Sequence, residues 1–561
     1  MILQPILDLV SICARKGVKN VILSPGSRCA PLTLAFARHP EIHCRTIADE
    51  RSAAFVALGM AQQLDKPVVL VCTSGSAALN YGPAVAEAYF QQIPLLVITA
   101  DRPAEWIDQW DGQTIRQPIV FGSHVKATYN FPDEFSHPDK TWHAHRISNE
   151  AINLATTFPY GPVHINVPLR EPFYPEEGEQ FTFKDSLNVV QELKGKISMS
   201  PEVKQLAKSS LEGFQRVLIV PGQQRPDPRL SEVLDQLASN QQAVVVADVI
   251  SNMQSAETVT YHDFFLGGMT PTESLKPDLI ISFGKSIISK SLKFFLRHSK
   301  AVHWHIQPGG YSPDTYQSLG THIHADPCLF LQFLREHLGT ADTEFYSGWY
   351  QLDKASAMGF PKIMDQVDFG EFKALHLCMQ AVPSPAKVHL ANSMPVRYAN
   401  YVGVNNPAKE VICNRGTSGI DGSNSTAVGC TFTTKEPVVL VTGDMAFFYD
   451  RNAFWHNYNL PNLRIILLNN HAGGIFRMIN GPARQPELEE FFETVQKLNA
   501  SFLAEEYGFE YHKVADEEAL QAVLADFYLP SVKPKILEIT SDSKVNARIL
   551  KEVKAAASLM A

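Results

Sequence analysis

The chain has 561 residues, of which 45% are hydrophobic and 19% charged, with a formal net charge of −9. That length predicts roughly three to four domains, each able to bury its own core, and the acidic balance, without any basic run, excludes an electrostatic nucleic-acid surface. Eight scattered cysteines with no CxxC pair and no Cys/His cluster at zinc spacing point to a reducing, cytoplasmic setting without structural zinc, and the absence of any long uninterrupted apolar window excludes a membrane span.

The first residues, MILQPILDLVSICARKG, repeat apolar positions at helical spacing (Leu3, Ile6, Leu7, Val10, Ala14) around Asp8. This predicts a surface helix rather than a signal peptide. From Val18 to about Val167, short β-rich runs alternate with helix-length segments. VILS (21–24), RTIA (45–48), VVLVC (68–72), LLVIT (95–99) and VHINV (163–167) read as buried parallel strands of a doubly wound α/β domain over residues 1–175. Ligands of such sheets collect at the carboxyl ends of the strands. There the sequence places Ser27 and Arg28, Asp49 and Glu50, Thr73 to Ser76, and Asp101 and Arg102. Taken alone, an Asp-Glu pair ahead of RSAAFVALGMAQQL is also a good helix N-terminal charge arrangement.

Residues 173–200 are polar, charged and weakly periodic, and read as a linker. A second α/β domain follows over 200–338, with VLIVPG, AVVVADV, DLIISFG and AVHWHI as strands and no GxGxxG after any of them. The tract around Ser289 and Lys290 suits the start of an amphipathic helix. A loose region, about 336–372, leads to a third α/β domain over 370–561, which ends in the strand KILEITSD.

Within that last domain, VVLVT closes in Gly443-Asp444 and RIILL closes in Asn469-Asn470, with helical spacing in FYDRNAFWHNYN between them. This is a βαβ unit. If the two strands are neighbours, Asp444 and Asn470 leave one sheet edge with backbones about 5 Å apart. A carboxylate and an amide oxygen suit a hard cation that shares its shell with water and phosphate. The same layout also suits an ordinary βαβ unit whose Asp caps a helix and whose asparagines make turns.

The Gly-Asp to Asn layout resembles the motif of the thiamine-diphosphate (ThDP) decarboxylase and synthase superfamily, and DERSAAFVALGMA resembles the segment that carries its catalytic glutamate. SPGSR, DERSAAF, TSGSAALNYGPAVAEA, ITADRP, DGQTIRQ, NSMPVR, NRGTSGIDG and GDM…NNHAGGIF follow one order along nearly the whole chain. Together they resemble the 2-succinyl-5-enolpyruvyl-6-hydroxy-3-cyclohexene-1-carboxylate synthases of menaquinone biosynthesis. The resemblance implies three doubly wound parallel-sheet domains of the ThDP-binding type. It implies loss of CO₂ from 2-oxoglutarate and conjugate addition of the resulting succinic semialdehyde carbanion to isochorismate, and a homodimer or homotetramer with active sites between subunits.

By the same resemblance Glu50 is the catalytic partner of the aminopyrimidine ring, with burial raising its carboxyl pKa. Ser393, Ser418, Gly419, Ile420, Gly443, Asp444 and Asn470 would contact the cofactor. Asp444, Asn470 and the backbone carbonyl of Ala472 would hold Mg²⁺, or Mn²⁺ in its place. Ser27, Arg28, Arg102, Gln113, Lys290, Arg397 and Arg415 would bind the dianionic substrates, with Ile475 and Phe476 as an apolar wall; arginine suits this task because its planar fork pairs two carboxylate oxygens. Two positions depart from the pattern: Met445 follows Gly-Asp where the superfamily often has glycine, and Ala472 stands where the close match has glycine, which bears on the local backbone. The rival readings are another ThDP enzyme, such as an acetolactate synthase or a simple 2-oxo acid decarboxylase, and a non-catalytic α/β binding protein.

Overall fold

The computed structural model describes residues 4–268, 273–404 and 408–558. Leu3 of the expected first helix lies outside them. The chain forms two compact units: Met1–Lys194 with Asn414–Lys435 and Ala446–Leu463, and Gly195–Cys413 with Glu436–Met445 and Arg464–Ala561.

The first unit is built on a six-stranded sheet of β1 (Asn20–Leu23), β2 (His43–Thr46), β3 (Val68–Cys72), β4 (Leu95–Asp101), β5 (Thr128–Asn130) and β6 (Val163–Pro168), in the order β2-β1-β3-β4-β6-β5. All its pairings are parallel. β3 and β4 are buried throughout, as continuous Val/Ile/Leu runs between two helical layers require. β2 departs from expectation. It starts two residues earlier than RTIA and, at the sheet edge, leaves its side chains exposed or half-buried. β5 carries only the polar sequence Thr-Tyr-Asn, which gives no strand signal.

The helix Gln4–Arg15 corrects the expectation of a surface helix, because every residue from Pro5 to Ala14 is buried. It packs between the helices Ala30–Arg38 and Pro138–Ala155. Asp8, fully buried, is satisfied there by Gln4 Nε2 and His145 Nε2, each at 2.8 Å. The stretch 173–194 has no helix or strand, as a linker should, yet it is strapped down: Arg15 donates to the carbonyls of Asp185 and Leu187, and Lys16 to that of Val190.

Two glycines set the approach of the helices Glu50–Leu64 and Ser423–Thr431 in this unit. A Cβ on Gly59 would stand 2.1 Å from the Thr426 carbonyl oxygen, and one on Gly429 would stand 2.1 Å from that of Val56. Each helix therefore presses its backbone into the gap left by the other's missing side chain. Glycine here serves packing, at a cost in helix propensity.

The second unit holds two sheets. One joins β7 (Val217–Pro221), β8 (Val244–Val245), β9 (Leu279–Phe283), β10 (Val302–Gln307) and β11 (Leu319–His324) in the order β11-β10-β9-β7-β8. The other joins β12 (Ala386–Leu390), β13 (Lys409–Ile412), β14 (Val438–Gly443), β15 (Leu463–Asn469), β16 (Glu510–Val514) and β17 (Lys535–Thr540) in the order β13-β12-β14-β15-β17-β16. Of AVVVADV only Val244 and Val245 form a strand. The region expected to be loose contains instead a 24-residue helix, Thr343–Gln366, that buries Phe345, Trp349, Phe360, Ile363 and Met364. One apolar core runs from Val249 and Phe264 through Phe372 and Leu375 to Val441 and Ile466. Among the described residues no helix is long and apolar enough to cross a membrane, and all eight cysteines are free.

Candidate functional site

Asp49 and Glu50 divide the work at the head of the helix Glu50–Leu64. Asp49 caps it, its Oδ1 accepting the Ser52 N–H at 3.1 Å, while its Oδ2 accepts from Asn452 Nδ2 at 2.7 Å. Glu50 is thereby released from capping. Among the described residues its Oε2 meets only a long contact from Asn80 Nδ2, 3.4 Å away, and it borders a cavity of about 640 Å³ lined also by Ala48, Leu79, Pro83, Tyr449 and Trp455. Leu79, Tyr449 and Trp455 are each more than half exposed. Glu50 itself is half-buried, so the burial expected for it is not supplied by the single chain.

At the ends of β1 and β4, the first unit gathers guanidinium groups. Arg28, 5% exposed, lies over the Phe173 ring at 4.7 Å and donates Nη1 to the Leu169 carbonyl at 2.6 Å. Arg102 places Nη1 2.9 Å from Asp111 Oδ2 and Nη2 2.8 Å from the Gly112 carbonyl. Burial first, then the nearby Arg102 charge, hold Arg28 below the ordinary guanidinium pKa. The Nε atoms of both arginines, with Thr73 Oγ1 and Ser74 Oγ, are buried without a hydrogen-bond partner. Buried donors left open beside two like charges fit a carboxylate ligand. Ser27 is exposed beside them, and Gln113, in the left-handed region (φ 57°), packs its Cα against Gly75. Its motif neighbour Gln117, fully buried, was not singled out by sequence. It accepts from Gly75 N at 3.1 Å and donates to the Ala100 carbonyl at 2.8 Å and Asn166 Oδ1 at 3.0 Å, tying the loop to the strand ends.

The NRGTSGIDG loop, in the same unit, is anchored by buried Glu87. That carboxylate accepts from Gly416 N at 2.7 Å and from Thr417 N and Oγ1 at 2.6 Å each. Gly416 lies against the carbonyl of Glu87, and Gly422 against the Phe55 ring. Ser418 takes a left-handed backbone (φ 62°) and is exposed, while Arg415, Gly419 and Ile420 are half-buried. A serine held there marks a turn whose shape is over-determined by its anchors.

In the second unit β14 and β15 are neighbours, as the convergence of Asp444 and Asn470 requires. Asp444, 2% exposed, is the first residue of the short helix Asp444–Tyr449. Its Oδ1 accepts from Met445 N and its Oδ2 from Gln496 Nε2, both at 2.8 Å. Asn470 Oδ1 accepts from Ala472 N at 3.0 Å. The left-handed residue of this turn is His471 (φ 60°), and Ala472 adopts an ordinary backbone, so alanine is sterically acceptable there. Gly443 has open space where a Cβ would stand.

Burial pushes the Asp444 carboxyl up to about 6, and burial followed by the Asp444 charge pushes Glu371 up to about 7. Among the described residues no group of three His, Cys, Asp or Glu side chains could hold a metal alone. One carboxylate, one amide oxygen and a backbone carbonyl fit a hard cation that takes its other ligands from phosphate and water. Elsewhere in this unit Ser393 is left-handed (φ 76°), and Arg397 donates Nη1 to its carbonyl. Lys290 is exposed at the head of the helix Lys290–Ser299, which Ser289 caps by accepting from Leu292 N at 2.9 Å. Ile475 packs on the core, and Phe476 lies 5.9 Å, ring to ring, from Phe492. Glu371 and Gln496, which grip Asn470 and Asp444, were not anticipated from sequence, since neither lies in a motif string.

Two strand-end clusters with these donors, on parallel sheets, define a class. Family models for the thiamine pyrophosphate (ThDP) enzyme N-terminal TPP binding domain, the middle domain of thiamine pyrophosphate, and the C-terminal TPP binding domain match residues 8–125, 208–389 and 393–539. Relatives named 2-succinyl-5-enolpyruvyl-6-hydroxy-3-cyclohexene-1-carboxylate synthase resemble the chain along its length. The protein of that name from Cytophaga hutchinsonii is 45% identical over 98% of both chains, and those from Flavobacterium psychrophilum and Christiangramia forsetii are 39% and 38% identical over 97% of both. The chain belongs to this family of thiamine pyrophosphate enzymes.

Proposed function

We propose that the chain decarboxylates 2-oxoglutarate and adds the four-carbon remainder to the ring double bond of isochorismate, forming 2-succinyl-5-enolpyruvyl-6-hydroxy-3-cyclohexene-1-carboxylate for menaquinone biosynthesis. The observation that carries this reading is the 45% identity, over 98% of both chains, to a relative named for that product. The unpaired Nε donors of Arg28 and Arg102 support it, since both substrates are dianions.

ThDP supplies the carbon nucleophile and the electron sink that loss of CO₂ from a 2-oxo acid needs. Asp444, Asn470 and the Ala472 carbonyl would hold a magnesium ion, with Gly443 leaving the backbone accessible to the diphosphate. Glu50 would exchange a proton with the aminopyrimidine ring, a role left open by Asp49 doing the capping. Ser393, Ser418, Gly419 and Ile420 line the cofactor. Ser27, Arg28, Arg102, Gln113, Lys290, Arg397 and Arg415 receive the substrate carboxylates, and Ile475 and Phe476 keep water from the reacting carbon.

The domains run over 1–175, 200–338 and 370–561. The working assembly is a cytoplasmic homodimer or homotetramer with active sites between subunits; the exposed Leu79, Tyr449 and Trp455 around the Glu50 cavity favour a covering surface there.

Product analysis tests the reading. With ThDP, Mg²⁺, 2-oxoglutarate and isochorismate, the expected product has the mass of isochorismate plus the succinic semialdehyde unit. Succinic semialdehyde or an acetolactate-type product alone would assign the chain to another ThDP reaction, and no turnover would favour a binding protein.

A further inference from the structure

Glu371 opens the helix Glu371–Ala381, 99 residues before Asn470, and is 2% exposed. Its Oε1 accepts from Asn470 Nδ2 at 2.6 Å, while the other end of that amide, Oδ1, accepts from Ala472 N at 3.0 Å. An asparagine beside a cation can present either its oxygen or its NH₂ group, and only the oxygen is a ligand. Turning this amide over would set oxygen against carboxylate and NH₂ against N–H, losing both bonds at once. The backbone that carries this carboxylate is itself fixed. The Glu371 N–H donates to Asn546 Oδ1 at 3.0 Å, and Asn546 donates to Ser541 Oγ at 2.9 Å. Gly370 leaves no slack, because a Cβ there would stand 2.6 Å from Ile549 Cδ1 and 2.7 Å from Asn546 Oδ1.

We propose that Glu371 is a positioning residue that locks the Asn470 amide with its oxygen toward the cation shared with Asp444, and so sets the affinity for that cation. This rests on Asp444 and Asn470 being the cation ligands, as proposed above. Such outer partners of a metal ligand are worth about 10–100-fold in metal affinity.

The test is the Mg²⁺ concentration that half-saturates ThDP binding, followed by calorimetry or tryptophan fluorescence without substrates, in the parent protein and in Glu371→Leu, Glu371→Gln and Asp444→Ala. Glu371→Leu is expected to raise it about 10–100-fold. Glu371→Gln keeps an acceptor but loses the charge assistance, and should raise it about 3–10-fold. A merely structural role would lower the melting temperature of the metal-free protein and leave half-saturation within twofold of the parent, which would overturn the proposal. If the leucine variant does not fold, the glutamine variant decides by the same twofold limit. Should Asp444→Ala raise the half-saturating Mg²⁺ concentration or prevent saturation while both Glu371 variants match the parent, only the positioning role falls. Should Asp444→Ala also match the parent, the cation-ligand reading fails and takes this one with it.

Discussion

At the scale of single residues, two adjacent acids differ in their bonding: Asp49 caps a helix, and Glu50 does not. Asp49→Ala removes the cap on the helix Glu50–Leu64 and is expected to cost about 0.5–2 kcal/mol in denaturant unfolding. Glu50→Gln should leave ThDP binding and unfolding nearly unchanged and reduce turnover by about 10²–10⁴. Turnover near the parental rate in Glu50→Gln would remove Glu50 from the chemistry. Arg28→Lys keeps the charge but loses the fork over Phe173, and its kcat/KM for 2-oxoglutarate or isochorismate should fall by about 10–100-fold, the worth of one charged hydrogen bond; equal kinetics would assign Arg28 to packing. The strand-end positions of Glu50, Asp444 and Asn470 were legible, because each sits where an apolar run stops, and their roles are what the family resemblance implies. Glu371, Gln117 and Gln496 were not, because they act sideways, through hydrogen bonds to residues that sequence separation does not reveal.

The helix pair Glu50–Leu64 and Ser423–Thr431 shows what helix glycines do at the scale of elements. Gly59→Ala or Gly429→Ala would drive a Cβ into a backbone carbonyl that cannot rotate away, and should destabilise the protein by about 1–3 kcal/mol through overpacking. Thermal melts check this; an unchanged melting temperature would mean the helices separate freely. The long Val/Ile/Leu strands β3, β4, β6 and β14 were legible because burial on both faces writes itself as an apolar run. Elements with half their surface wet were less so. β2 and β16 are edge strands of polar sequence, and the helix Thr343–Gln366 is interrupted by Gly348, Gly359 and Pro361, which read as a loop until Trp349 finds its place in the core and donates to the Leu275 carbonyl at 3.0 Å.

Over the whole molecule, buried histidines set the response to acid. Burial holds His164 and His389 at about 3, and His303, His305 and His456 at about 4, against an ordinary 6.5. Between about pH 4 and 6.5 the unfolded chain takes up protons these groups refuse when folded, so their contribution to stability is lost as pH falls. The raised carboxyls Asp444, Glu371 and Asp450 tilt the other way, since they hold protons in the fold that unfolding releases. Bound cation removes most of the opposition from the first two. In Mg²⁺ and ThDP, the urea midpoint is therefore expected to fall from pH 7 to pH 5, and a flat or rising midpoint would show that the histidines are not held neutral. The chain-long order of motifs made the family legible before any coordinates, while the exposure of Leu79 and Trp455 was not, because no pattern in the sequence marks it. The most direct measurement of the central claim is the stoichiometry of one reaction run with and without ThDP: isochorismate consumed, 2-oxoglutarate consumed and CO₂ released. The expected result is equal amounts of all three and no reaction without ThDP; 2-oxoglutarate lost at the same rate whether or not isochorismate is present, with isochorismate untouched, would contradict it.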